Sequence, residues 1–187
     1  MAKSSYVQLG RGLAIVSFII ATVLFLSYYF SSSSDLLVLA FICFLLLGLI
    51  NLGFLFTILL NLNEDTQNRK KLAQTAGLML LNIPIACFYI WKGSQLLNTM
   101  IITFENATGE NLENIEIIGC GGGHIDALAA GEQTTVWVEI TGDCSIRLAY
   151  PIKGELKEEV VAEYVTGMMG QRVSSKIDGQ DQDVFLK

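Results

Sequence analysis

Cys120-Gly-Gly-Gly-His124, together with Cys144, is the one cluster in this chain whose residue types could carry chemistry. Two thiolates and an imidazole suit zinc or copper, and three ligands would leave a coordination position open. A catalytic histidine needs an orienting carboxylate and a nucleophile within reach. His124 is the sole histidine, and Asp126 with a glycine turn does not make that constellation. Gly-x-Ser-x-Gly, phosphate-loop and dinucleotide fingerprints are absent from the sequence. We therefore assign no catalytic residue, no cofactor and no metal, and expect a protein that is not an enzyme.

For Cys120 and Cys144 the leading expectation is a disulfide, with free thiols and a metal site as alternatives. Cys43 and Cys87 lie in apolar stretches, where they are expected to behave as small core residues. Asn106-Ala-Thr108 matches a glycosylation acceptor by pattern, a match that arises often by chance. Asp178, Asp181 and Asp183 lack the glycine and terminal glutamate of an EF-hand and read as a solvated tail.

The elements that would position these residues are governed by Leu36 to Leu62, 27 residues without a charge. As a helix it reaches ~40 Å, against a hydrocarbon core of ~30 Å. It is apolar around its whole circumference, which a soluble domain cannot hide. Leu13 to Phe30 precedes it, ending in Tyr28, Tyr29 and Phe30 as an interfacial belt would. That run exceeds a signal peptide's apolar core and no small-x-small cleavage site follows, so an uncleaved first span is expected. Ser31 to Asp35 is a short linker that makes the first two spans a tight hairpin, with Asp35 positioned to cap the second helix. Leu72 to Trp91 forms a third span, with Pro84 inside it and Lys92 just beyond.

Asn51 and Asn82 are amides at membrane depth, where an unpaired polar group is costly, so both should face the bundle interior. Gly48 with Asn51, and Asn82 with Ala86, are the expected helix-packing positions, small residues beside interhelical amides. With spans at 13–30, 36–62 and 72–91 there is no ionisable residue inside them, which argues against a transport path.

Beyond Thr99 the apolar period changes to two. Met100, Ile102 and Phe104, then Ile115 and Ile117, Val136 and Val138, and Ile146 and Leu148 alternate with other residues, and glycines punctuate the runs. Leu156, Val160, Tyr164 and Met168 recur every four residues as a helix would, but β-prone neighbours and Gly167 and Gly170 favour a strand, a turn and a final strand to Ile177. The expected fold is three transmembrane helices (residues 1–97), a small β-sandwich-like soluble domain (98–177) and a polar tail (178–187).

Charge follows the same division. Residues 1–97 carry six Lys and Arg against three acids, net +3, and residues 98–187 carry six against fifteen, net −9. So acidic a domain repels phosphate backbones, which excludes nucleic acid as the expected partner. Lys3, Arg11, Arg69, Lys70 and Lys71 flank one side of the spans and Lys92 the other. The positive-inside rule then expects a cytoplasmic N-terminus and an external C-terminal domain, in a plasma or inner membrane. The expected function is a membrane-anchored recognition or assembly subunit, partnered by the lipid bilayer and by its own copies or another membrane protein. The alternative is a sensor-effector whose helices rearrange when the β domain is engaged.

Overall fold

The computed structural model describes residues 3–64 and 67–178. Among them are helices α1 (Lys3–Ser31), α2 (Ser34–Glu64) and α3 (Arg69–Leu97). Seven strands follow: β1 (Thr99–Asn106), β2 (Leu112–Ile118), β3 (Gly123–Leu128), β4 (Gln133–Glu139), β5 (Cys144–Ile152), β6 (Glu155–Val165) and β7 (Arg172–Ile177). The chain divides into two compact units at Gly93/Ser94. The expected polar tail, apart from Asp178, lies outside the described residues.

In the first unit the helices outrun the apolar segments that predict them. α1 starts at Lys3 rather than Leu13, and α3 continues through Pro84 to Leu97 rather than stopping at Trp91. Backbone hydrogen bonding propagates through polar residues once a helix is nucleated, so hydrophobicity locates a span but not its ends. All three helices are long and apolar enough to cross a membrane, over Ser5–Ser31, Ser34–Leu62 and Arg69–Leu97. Arg11 falls inside the first of these longer stretches, although residues 13–30 carry no charged side chain.

Only Ser32 and Ser33 separate α1 from α2, and Ser32 takes a left-handed φ of 49° to turn the chain. Leu37 N–H donates to the Ser33 carbonyl at 3.1 Å, so Ser33, not Asp35, is the residue that opens α2. Asp35 sits in the first turn instead, where its charge meets the exposed amides of the helix start.

The second unit is built of two sheets, ordered β4-β1-β7 and β3-β2-β5-β6. β1 runs antiparallel to β4 and parallel to β7. One core takes side chains from both sheets: Met100, Ile102 and Phe104 from the first meet Ile115, Ile146, Leu148 and Tyr150 from the second. β2 changes its inward face at Asn114, whose φ of 52° breaks the pleat, so Leu112 and Ile115 both point into the core three residues apart. β3 was not expected as a strand. Gly123, His124 and Asp126 give it low β-propensity, and its place comes from pairing with β2, Ile125 opposite Ile115 and Leu128 opposite Leu112.

Glu155–Val165 is a strand, and the four-residue recurrence within it has a different meaning from a helical face. Leu156, Val160 and Tyr164 are all exposed on β6, while Val161, Ala162 and Val165 enter the core. A spacing of four is two strand repeats, so Leu156 and Val160 lie on one face, and the register shift around Ile146 puts the adjacent Val161 and Ala162 both into the core before Tyr164.

Asn106 closes the far end of β1. Its side-chain amide donates to the Glu110 and Leu128 carbonyls at 2.7 and 2.8 Å, and its Oδ1 accepts from Thr108 N–H and Oγ1. Its backbone bonds Glu132 and Gly131. A residue so buried and so fully bonded is a structural joint between the two sheets, and the glycosylation pattern here is a turn. We predict that Asn106→Ala, which strands two carbonyls and the Thr108 amide, lowers stability by about 2–4 kcal/mol. Thermal denaturation of the full chain in detergent, followed by near-ultraviolet circular dichroism, should show the loss; an unchanged midpoint would refute the joint.

Candidate functional site

Two places concentrate polar chemistry: the interior of the helical unit and the disulfide end of the β unit. In the first, α1 is the shared partner. Val7, Gly10, Ala14 and Ser17 form one buried face, a 3.5-residue stripe of mostly small side chains. A Cβ on Gly10 would lie 2.7 Å from Thr75 Cγ2 and 2.8 Å from Ile58 Cδ1, so side chains of α2 and α3 fill the space that glycine leaves on α1.

Polar links between helices gather on this face and its flank. Asn51 Nδ2 donates to Ser17 Oγ at 2.7 Å and to the Leu47 carbonyl at 2.8 Å. Asn82 Nδ2 donates to the Ala14 carbonyl at 3.0 Å. The Arg11 guanidinium donates to Thr75 Oγ1 and to the Gln74 amide oxygen Oε1, each at 3.3 Å. Thr22 and Tyr89 share a hydrogen bond of 2.8 Å, and Phe25 stacks on Tyr89 at 4.7 Å between ring centroids. Asn51 Oδ1 is buried without a hydrogen-bond partner.

The sequence-expected packing residues separate accordingly. Asn51 and Asn82 both turn toward α1, and Ala86 is half-buried on the same side of α3 as Met79 and Asn82. Gly48 is exposed, and a Cβ there would meet nothing within 4 Å among the described residues. Cys87 is likewise exposed rather than a core residue, because it follows Ala86 by one position, 100° around the helix. Gly10, Ala14 and Ser17 were missed. Their small-residue spacing is the available signal, and Gly10 lies before the apolar run that starts at Leu13.

The β unit brings Cys120 and Cys144 together. They form a disulfide with 5.3 Å between Cα atoms, inside the range a bridge requires. The glycines around Cys120 make this approach possible. Gly119 has φ 97°, and a Cβ on it would fall 1.8 Å from the Ser145 carbonyl oxygen. Gly121 N–H donates to the Glu139 carbonyl at 2.7 Å, binding the loop to the end of β4. His124 turns away to Asp126, with Nε2 3.2 Å from Oδ1 at the surface. With both thiols bonded to each other the metal alternative loses its sulfur ligands, and no group of three metal-capable side chains occurs among the described residues. Elsewhere Tyr150, fully buried, donates its hydroxyl to the buried Glu159 carboxylate, a pair with no sequence signature.

No protein-family model matches this chain, and no curated protein matches it. A solved structure described as the NMR structure of the protein from Eubacterium rectale aligns over 43% of this chain and 78% of that chain, at 15% identity and a TM-score of 0.31. A likeness of that degree adds nothing to the reading of the site.

Two expected outcomes follow from these geometries. Asn51→Leu or Asn82→Leu should weaken helix association by about 0.6–2 kcal/mol, and Gly10→Leu by about 1–3 kcal/mol through overpacking. Gly48→Leu should leave the helical unit unchanged; graded detergent denaturation compares all four. Cys120→Ser should destabilise the β unit by about 3 kcal/mol in the chain-entropy account, and the double variant with Cys144→Ser by little more. Mass spectrometry after thiol blocking, without reduction, should find Cys120 and Cys144 unmodified; alkylation of both would remove the bridge.

Proposed function

We propose that this chain is a membrane-anchored, non-enzymatic recognition or assembly subunit. The helical unit supplies the anchor. Its outer surface is hydrocarbon, with Leu49, Leu52 and Phe56 of α2 and Ile83 and Ile90 of α3 exposed. In water such a surface would be an aggregation hazard; in lipid it is solvated. The disulfide suits an oxidising compartment and the basic flanks suit a cytoplasmic N-terminus, two independent reasons to put the β domain outside the cytoplasm.

The observation that carries recognition is the outward row of Leu156, Val160 and Tyr164 on β6, the edge strand of its sheet. Register shifts, with Lys157, Glu158 and Glu163 along the strand, blunt addition of another strand. Side chains rather than the backbone edge then form the contact, with a second copy of this chain or a partner membrane protein. A sensor-effector reading draws on one specific feature, the unpartnered Asn51 Oδ1, which a rearranged bundle could satisfy.

A reporter active only outside the cytoplasm, fused after Lys187, should be active, and one active only inside should be silent; the reverse pattern inverts the topology. In reconstituted vesicles, cross-linking should trap discrete complexes that Leu156→Lys with Tyr164→Lys abolishes, while entrapped dye is retained. Dye release without complexes would favour the sensor-effector.

A further inference from the structure

The β6–β7 turn is fastened to the last turn of α3. Gly170 N–H donates to the Leu97 carbonyl at 2.8 Å, and Met168 N–H donates to Asn98 Oδ1 at 3.1 Å. A Cβ on Gly170 would lie 2.2 Å from the Leu96 carbonyl oxygen, so only glycine lets the turn seat there. Asn98 also donates to the Ser94 carbonyl from its side chain and accepts from Ile140 N–H. Residues 94–98 and these loops belong to the same compact unit.

The turn holds two methionines outward. Met168 is 69% exposed and carries a left-handed φ of 67°, and Met169 is 37% exposed. A non-glycine residue in that conformation is unusual, and here the Asn98 side chain holds it. The result is an apolar tip beside the end of a helix long enough to cross a membrane.

Charge distribution agrees. Gly121 is bonded to Glu139, Ile140 to Asn98, and Thr166 to Asp143, so residues 119–122, 140–143 and 166–171 gather at this one end. Asp143 is the only charged residue in those three loops. The opposite end, reached by residues 107–111, 129–132 and 153–154, carries Glu110, Glu132 and Lys153. In a domain as acidic as this one, an end with Asp143 as the one charge in its three loops and with two exposed methionines suits a surface where charge is penalised and apolar atoms are buried.

We propose that the Met168–Met169 turn inserts into the lipid headgroup region, making one end of the β domain a membrane-contacting surface. This rests on the anchor reading above. The partner is the bilayer itself: the turn is tied to a span terminus, and flexible thioether side chains conform to an irregular interface.

Spin labels test it in phosphatidylcholine vesicles, on the full chain with Cys43→Ser and Cys87→Ser, which leaves the disulfide as the remaining cysteines. Labels go singly on Leu49→Cys, Met168→Cys and Lys153→Cys, and relaxation by oxygen is compared with relaxation by a water-soluble nickel chelate. The Leu49 label should report hydrocarbon depth, the Met168 label headgroup depth and the Lys153 label water. A Leu49 label at depth with a Met168 label as accessible as that on Lys153 overturns the inserted turn and leaves the anchor standing. A water-accessible Leu49 label overturns both. Met168→Asp with Met169→Asp, read by a label on Gln171→Cys, should move that label toward water; no movement also counts against insertion.

Discussion

A polar group removed from water must find a partner in the protein, and in this chain asparagine supplies that partner both between helices and at the ends of elements. Asn82 reaches from α3 to a carbonyl of α1, and Asn51 bridges from α2 to Ser17. Asn98 closes the end of α3, and Asn106 closes the end of β1. The amide side chain is suited to this because it both donates and accepts at short reach. Aliphatic residues decide which surfaces are buried, and these four residues decide how the elements end and which faces meet.

Within the helical unit that rule works together with close approach. Gly10 and Ala14 allow neighbouring backbones to come near α1, and nearness is what lets Asn82 find a backbone carbonyl rather than another side chain. The outer faces need no such specificity. Gly48 and Cys87 are outward because the buried stripe of each helix is narrow. Hydrophobicity alone revealed the three helices, since 27 uncharged residues admit few other structures. It could not show which face packs, because an all-round apolar helix has no amphipathic signal, and the polar residues at 51 and 82 were the only guides.

In the β unit the alternating runs identified β1, β2, β4 and β5, and the disulfide expected of Cys120 and Cys144 is formed. β3 stayed hidden because its strand identity is conferred by β2 rather than by its own residues. The recurrence of Leu156, Val160, Tyr164 and Met168 suited a helix, but the strand, turn and final strand favoured by the β-prone residues and glycines are what form. Four is a multiple of the strand period, so Leu156 and Val160 share the outward face of β6 through regular pairing, with Tyr164 exposed beyond the register shift and Met168 in the turn that follows. The Asn106 pattern shows the opposite limit, since a surface motif and a buried turn can share the same three letters.

The position of α1 at the hub of the helical unit also sets an order of events during synthesis. The Asn51–Ser17 bond joins residues 34 apart, and the hairpin that makes it is complete before α3 exists. The bonds from Arg11, Ala14 and Thr22 to α3 span 63 to 68 residues. Until that third helix emerges, the Ala14 carbonyl offers its free lone pair to no protein donor on α3, and the space above Gly10 is unfilled on one side. The first two helices are therefore a waiting half, with a vacancy shaped for the third.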